Sequence, residues 1–343
     1  MPADSGPGTA GREFPVRAHL GGIVRDAFGG RRSLGEAVRL RGGSKKGVYR
    51  LVLDDGSAVI AYAWDESENY WPEPASRDRL NDHADPFSPA SGLDLFLAAH
   101  RRLAGLGLRT PQVYWSDAEQ ARYPADFALV EEIPGPTLEQ LLQTDPRAAA
   151  PVMRLLADDL AALRDCRNAA FGKVTLVDGG GTSRGASCEQ IVLDRALVDL
   201  AEAARRDPRV AAARGRLDDA LREAAAAVRP RAEHSLIHGE LGPDHILVDR
   251  TGRPVLIDIE GMMFFDVEWE HVFLRIRFGA DYPQLRAGGL DERRWALYDL
   301  AMRLSLVAGP LRLLDGDFPD RAFMTGIVED NLHEALVLVG LDG

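Results

Sequence analysis

Cysteine is nearly absent from this 343-residue chain: Cys166 and Cys188 are the only two, and neither lies in a Cys-x-x-Cys pair. A disulfide framework or a cysteine-based structural zinc site is therefore not expected. Lysine is scarce as well. Of 41 basic residues only Lys45, Lys46 and Lys173 are lysine, so the place of each matters more than the number. No apolar run reaches the roughly 18 residues that cross a bilayer, so no membrane span is expected. The opening stretch, MPADSGPGTAGREFP, has no apolar segment. It reads as having no secretory leader, residues 1–30 as a disordered tail, and the protein as cytoplasmic. Positive charge is in deficit: the net charge is −12, which argues against nonspecific nucleic-acid binding and allows a cationic substrate. Most of the deficit falls after residue 133.

What is abundant is carboxylate in an apolar setting. From His238 to Glu270 the chain reads HGELGPDHILVD, a turn, then PVLIDIEGMMFFDVEWE. Ile246–Val248 and 255–259 are expected as two strands joined by the turn Asp249-Arg250-Thr251-Gly252-Arg253. Asp258, Glu260, Asp266, Glu268 and Glu270 fall among Ile, Met, Phe, Val and Trp, with no Lys or Arg between them. Carboxylates at the edge of a core need a partner, and a divalent cation is one candidate. The plain alternative is a structural hairpin with surface acids. Four of the eight histidines (His234, His238, His245, His271) lie in the same region. A metal-dependent hydrolase is thereby suggested, but neither HExxH nor the PCxxC of zinc deaminases is present.

Upstream, residues 34–64 read as a small antiparallel sheet. A Gly-rich loop precedes the strand Val48–Leu53, with Gly42, Gly43, Ser44, Lys45, Lys46 and Gly47 in sequence. Glycines beside lysines suit a loop whose backbone approaches an anion; a solvated hairpin tip is the bland reading. Residues 65–90, rich in proline, read as an irregular insertion, with Tyr70 and Trp71 folding back onto the sheet. Ser91 reads as the N-cap of a helix to about Leu106. Strands are expected at 111–115 and 126–133. Pro134-Gly135-Pro136 is a stiff break, and Thr137-Leu138-Glu139-Gln140 has the form of a capping box. Helices follow at 148–168 and, interrupted near Pro208, at 188–228. Residues 178–187 form a flexible loop, and 266–343 are mainly helical. A β-rich part at 31–133 and a helical part at 134–343 carrying an acidic hairpin make an α+β, two-lobed fold.

The HGE-x4-H loop followed by LIDIE resembles the aminoglycoside phosphotransferase family, which has a protein-kinase-like fold. The segment 42–51 resembles its nucleotide loop, and Leu129 to Leu138 its hinge. The similarity covers roughly residues 34–275. It implies phosphoryl transfer from ATP, with Mg2+, to a hydroxyl of a small acceptor. Glu240 takes the place of the aspartate that accepts the hydroxyl proton. Asp258 takes that of the metal-ligating aspartate, and His245 that of the second ligand, with Asp244 as a substitute. His238 is implied to be structural, and Asp266 and Glu270 stand where the family has its two following acids. Gly43, Ser44, Lys45, Lys46, Tyr62, Glu131 and Ile133 fall at nucleotide-binding positions. Four positions depart from the family. Glu240 is one methylene longer than aspartate, and His245 replaces an oxygen ligand. Tyr62 stands where the phosphate-binding lysine belongs, and the helix 91–106 offers Asp94 rather than glutamate. Lys46, on the loop, is the preferred substitute for the missing charge.

The leading reading is a small-molecule kinase acting on a polar or cationic acceptor of antibiotic or specialised-metabolite type. A weakly active or inactive kinase-like protein that binds a partner protein is the alternative, as is a kinase for Ser or Thr of a peptide. Glu189, Asp194 and Asp199 are candidates for binding a substrate cation, against a plainer reading as solvated helix charges.

Overall fold

The computed structural model describes residues 13–40, 43–71 and 82–341. The chain separates into two compact units: Met1–Glu73 with Gln112–Glu132 and Val307–Asp330, and Pro74–Pro111 with Ile133–Leu306 and Asn331–Gly343. The α+β expectation is met: the first unit is built on a sheet, and the second is mainly helical.

The sheet of the first unit has five antiparallel strands, in spatial order Leu34–Arg39, Gly47–Leu53, Ala58–Trp64, Asp126–Glu131 and Val113–Asp117. Alternate residues of Gly47–Leu53 are buried, the period-2 pattern that one covered face imposes. Gly56, at φ +80°, makes the tight turn to the next strand, and Ser57 N–H donates to the Asp55 carboxylate at 3.1 Å.

The cover of this sheet corrects the disordered-tail expectation. Residues 1–12 lie outside the described residues, but Pro15–Ala18 is a 3-10 turn and Leu20–Ala27 an α-helix. Val16, Leu20, Ile23 and Val24 are buried against Tyr49, Leu51, Val59 and Phe127. Their spacing of four, three and one residues is the stripe of a helix lying on a core. Tyr70 does fold back beside the sheet: the Arg39 guanidinium of the first strand lies 6.0 Å over its ring, and its N–H donates to Ser44 O at 2.8 Å. It packs with Leu313 and Met324 and meets the Phe318 ring edge-on at 5.5 Å.

In the second unit, the helix expected to start at Ser91 runs Leu93–Gly105, with Gly92 as N-cap and no side-chain cap. Thr137 does form the capping box with Gln140, and Asp145 caps Pro146–Asp165. Asp207 ends Cys188–Arg206 and caps Pro208–Ala226. Proline is tolerated at the first helical position because its missing N–H has no partner there. Residues 167–168, 172–173, 234–237 and 263–265 make a four-stranded sheet in the order Arg167–Asn168, His234–Ile237, Met263–Phe265, Gly172–Lys173. Sequence reading missed it, because strands of two to four residues have no measurable period.

The hairpin is shorter than expected. Ile246–Val248 pairs with Pro254–Leu256, and residues 257–259 leave the ladder. Ile257 N–H instead reaches the His245 carbonyl at 3.0 Å. Asp258 then adopts the left-handed conformation, φ 59° and ψ 44°. The Pro-Gly-Pro break is laced to this hairpin: Val248 N–H donates to Pro136 O at 2.9 Å. A Cβ on Gly135 would stand 1.7 Å from the Val248 carbonyl oxygen, so only glycine fits.

Candidate active site

The loop 238–245 and the residues after the hairpin meet through two histidines. His238 is fully buried and its Nε2–H donates to the Ile257 carbonyl at 3.0 Å. Burial first, and then the neighbouring His245, push its pKa down to about 4, so it is a neutral ring that pins one arm to the other. The His245 ring stacks on it, with centroids 6.1 Å apart and planes 23° from parallel. His245 Nδ1–H donates to the Glu240 carbonyl oxygen at 2.8 Å. In the neutral ring that bond places the proton on Nδ1 and the lone pair on Nε2. Nε2 lies 3.7 Å from an Asp258 carboxylate oxygen and 3.7 Å from one of Asp244.

Glu240 and Asp258, the proposed base and metal ligand, are thus tied to the same imidazole, one by its backbone and one by its carboxylate. Both are exposed. Among the described residues, Asp258 and Gln120 are the only non-glycines with positive φ. Aspartate tolerates this conformation better than most residues, but it is strained, and such strain concentrates at functional sites. The donor set fits a divalent cation: Asp258 supplies an oxygen and His245 an open nitrogen, and the chemistry such an ion supplies is neutralisation of phosphate charge. Asp244 is less available. Arg277 donates to it at 2.7 Å, and although burial pushes its pKa up, His245 and Arg277 outweigh that and hold it below the usual carboxylate range. Gly242 makes room for that pair, since a Cβ there would be 2.4 Å from the Asp244 carboxylate and 2.9 Å from the guanidinium.

Two other acids of the cluster, Glu268 and Asp266, have partners within the protein, which corrects the expectation that a metal ion would partner them. Glu268 receives two hydrogen bonds from Arg231, at 2.7 and 2.6 Å, and one from Asp291 N–H at 2.8 Å. Asp266 accepts from Arg294 and, at 2.5 Å, from Tyr298. Arg294 is 1% exposed and also bonds Glu189 at 3.2 Å. Burial raises the pKa of Asp266, but His234, Arg294, Tyr298 and Arg231 together hold it low. Glu189 and Asp199 are likewise buried on Arg294 and Arg195, so neither is a solvated charge nor open to a substrate cation. Asp194 accepts from Gln190 at 2.8 Å. His234 contacts Cys188 and Asp266, and His271 contacts Tyr282, so these two histidines stand apart from the His238–His245 pair. Arg231, Arg277 and Arg294 were missed in the sequence, where nothing local links them to their acids.

Glu270 holds the loop directly. Its carboxylate accepts from Gly239 N–H at 2.6 Å, one residue before Glu240. Burial is the leading cause that pushes its pKa up to about 7. A buried acid with a raised pKa contributes its full stability below the ordinary carboxylate value and loses it as pH rises through about 7. Glu270→Gln, which keeps the acceptor oxygen, should therefore be more stable than the parent at pH 8, by about 2–3 kcal/mol, with no gain at pH 4. Urea unfolding at the two pH values measures this; an equal difference at both would refute the assignment.

In the first unit, the Gly-rich loop is fixed from below. Residues 41–42, and so Gly42, lie outside the described residues. Gly43, at φ +75°, passes 2.8 Å from the Lys46 carbonyl where a Cβ would be. Ser44 Oγ accepts from the Trp71 indole at 2.8 Å, and Lys45 Nζ stands 5.6 Å over the same ring. Lys46 is only 7% exposed, and its Nζ lies 4.8 Å over the ring of Tyr62. It is not a solvated tip lysine. Glu131 N–H donates to Gln112 O at 2.8 Å, so this amide is engaged within the protein. Ile133, in the second unit, is buried. Asp94, the departure on the helix, faces His83 at 3.6 Å.

Among the described residues no helix is long and apolar enough to cross a membrane. No curated protein matches the chain in sequence. Its fold is similar to that of a thermostable mutant of aminoglycoside phosphotransferase APH(4)-Ia (19% identity, 92% of this chain and 98% of that one, TM-score 0.59). It is also similar to APH(2")-IIia in complex with GDP and kanamycin (19%, 92% and 99%, 0.59) and to a putative fructosamine-3-kinase from Thermobifida fusca YX-ER1 (19%, 93% and 98%, 0.52). The protein-kinase-like expectation is thereby met. A sequence profile, of the family described as "Phosphotransferase enzyme family", matches residues 38–310. Extending over most of the length, from the sheet through the histidine-linked hairpin to the late helices, that match makes this chain a member of the Phosphotransferase enzyme family.

Proposed function

We propose that the protein transfers the γ-phosphoryl group of ATP to a hydroxyl of a small, polar, cationic acceptor. The observation that carries this reading is the His245 ring, which binds the Glu240 backbone and faces the Asp258 carboxylate. Glu240 accepts the proton of the acceptor hydroxyl as its oxygen attacks the γ-phosphorus, and the bond to the bridging oxygen of ADP breaks. Asp258 and His245 would hold the divalent ion, which would supply positive charge against the phosphates. The added methylene of Glu240 would matter if the side chain were clamped; it is exposed, so the carboxylate has room to find its position. In the first unit Lys46, seated on Tyr62, supplies the cation that the tyrosine itself cannot. This seat answers one of the four departures that motivate the alternative of an inactive binding protein, the Tyr62 that stands in place of a lysine. The net charge of −12 suits a polyamine-bearing acceptor, and kanamycin, the ligand of one structural neighbour, is such a molecule.

ADP release, measured against hydroxylated amines, neutral sugars and Ser/Thr peptides, tests the reading. Stimulation by an amine-bearing polyol is the expected result. Phosphorylation of a peptide alone would replace the acceptor class, and no stimulation by any compound would remove the function. Glu240→Gln should lower turnover by ~10²-fold or more, as loss of a general base does; unchanged turnover would reassign the base.

A further inference from the structure

We infer that the metal position at Asp258 and His245 prefers a divalent ion of the first transition row, of which Mn2+ is the example, over Mg2+. The inference deepens the phosphotransfer reading and rests on it. Three observations carry it. The His245 Nδ1–H bond to the Glu240 carbonyl, 2.8 Å long, leaves Nε2 as a lone-pair donor. A histidine that ligates a metal characteristically donates its other N–H to a carbonyl or carboxylate. Nε2 stands 3.7 Å from the Asp258 carboxylate, so one ion can touch both after a small rotation of either side chain. The ring is held by stacking on His238 with planes 23° from parallel, and its side chain is 21% exposed, so the nitrogen is presented rather than free to swing away.

The ligand set is thus one imidazole nitrogen, one carboxylate and the oxygens of a nucleotide. Mg2+ is a hard ion that holds water and oxygen ligands and gains little from imidazole. Mn2+ accepts carboxylate and phosphate oxygens as Mg2+ does and lies on the series in which nitrogen ligands add affinity. Asp244 strengthens the argument by being engaged: with Arg277 on its carboxylate at 2.7 Å, it is poorly placed to replace the histidine with an oxygen. Zn2+ binds imidazole more strongly still, but the described residues around Asp258 and His245 offer no thiolate, and a triphosphate supplies only oxygen. These favour the harder end of the series.

The test uses the full-length protein with the unreactive nucleotide AMP-PNP. Affinity for Mn2+ and for Mg2+ is measured by titration, and the Mn2+ complex is examined by pulsed electron paramagnetic resonance for directly bound 14N. The expected result is a nitrogen coupling in the parent protein and its loss in His245→Asn. The ratio of Mn2+ to Mg2+ affinity should fall ~10-fold or more in that variant. A parent complex without nitrogen coupling overturns the inference even if the variant does not fold, and so does an unchanged affinity ratio. In both cases AMP-PNP still binds and the phosphotransfer reading stands. Failure to bind AMP-PNP with either ion overturns both.

Discussion

In Asp258→Asn, phosphoryl transfer is expected to fall by ~10³-fold, with the unfolding midpoint unchanged. The side chain proposed to hold the metal is the one changed, and the amide keeps its shape but not its charge. Asparagine is chosen because the backbone at this position is left-handed, φ 59°. Alanine there would add about 1–2 kcal/mol of strain and confuse a loss of chemistry with a loss of fold. The Asp258 carboxylate is 43% exposed, and substitutions at such surface positions alter stability by roughly 0.5 kcal/mol or less. Turnover within tenfold of the parent would show that Asp258 does not hold the metal. A large fall in melting temperature would assign it a structural part instead.

Arg294→Met should have the largest effect on stability. The guanidinium is almost wholly buried and binds Asp266, Glu189 and the carbonyl of Arg229. Removing it takes the guanidinium from buried Glu189 and leaves buried Asp266 with only the more distant Arg231, 3.6 Å away, a change that costs about 3–5 kcal/mol in a protein whose stability is of order 5–15 kcal/mol. The sign with pH follows from Asp266, whose folded pKa lies below the ordinary carboxylate value. Its contribution in the parent is present above that ordinary value and is lost as pH falls through the depressed one. In the variant both acids can escape the penalty by taking a proton, so the deficit should shrink between pH 7.5 and pH 5. Denaturant unfolding at these two values measures it. Adding Asp266→Asn should recover part of the loss, because the two residues are in direct contact and their effects are not additive. A deficit below 1 kcal/mol at pH 7.5 would mean that solvent reaches the carboxylates.

The acidic hairpin was legible because its signals are local. Turn residues stand between two apolar triplets, and the ladder Val255 to Leu247 follows from them. The capping box at Thr137 and the helix start at Pro208 were legible for the same reason. The helix Leu20–Ala27 was also written in the sequence, as a stripe of four apolar residues, but the neighbouring glycines and the polar terminus masked it. What the acids do was not legible. Asp258, Glu268 and Glu270 lie within thirteen residues and look alike, yet one is exposed on a strained turn, one is locked to Arg231 and one holds the Gly239 amide.

The chain's residue order thus determined the site's raw material on its own: a glutamate, an aspartate and two histidines at spacings that a short hairpin must bring near one another, and three lysines of which two sit on a glycine-rich loop. Tertiary packing decided which of these groups remain available. Arg277, Arg294 and Arg231 come from distant stretches to neutralise Asp244, Asp266 and Glu268, and the Tyr62 ring comes under Lys46. The reason is that periodicity and turn chemistry act over a few residues. Burial raises the cost of an unpaired charge wherever the chain places it, and its partner is selected by proximity in space.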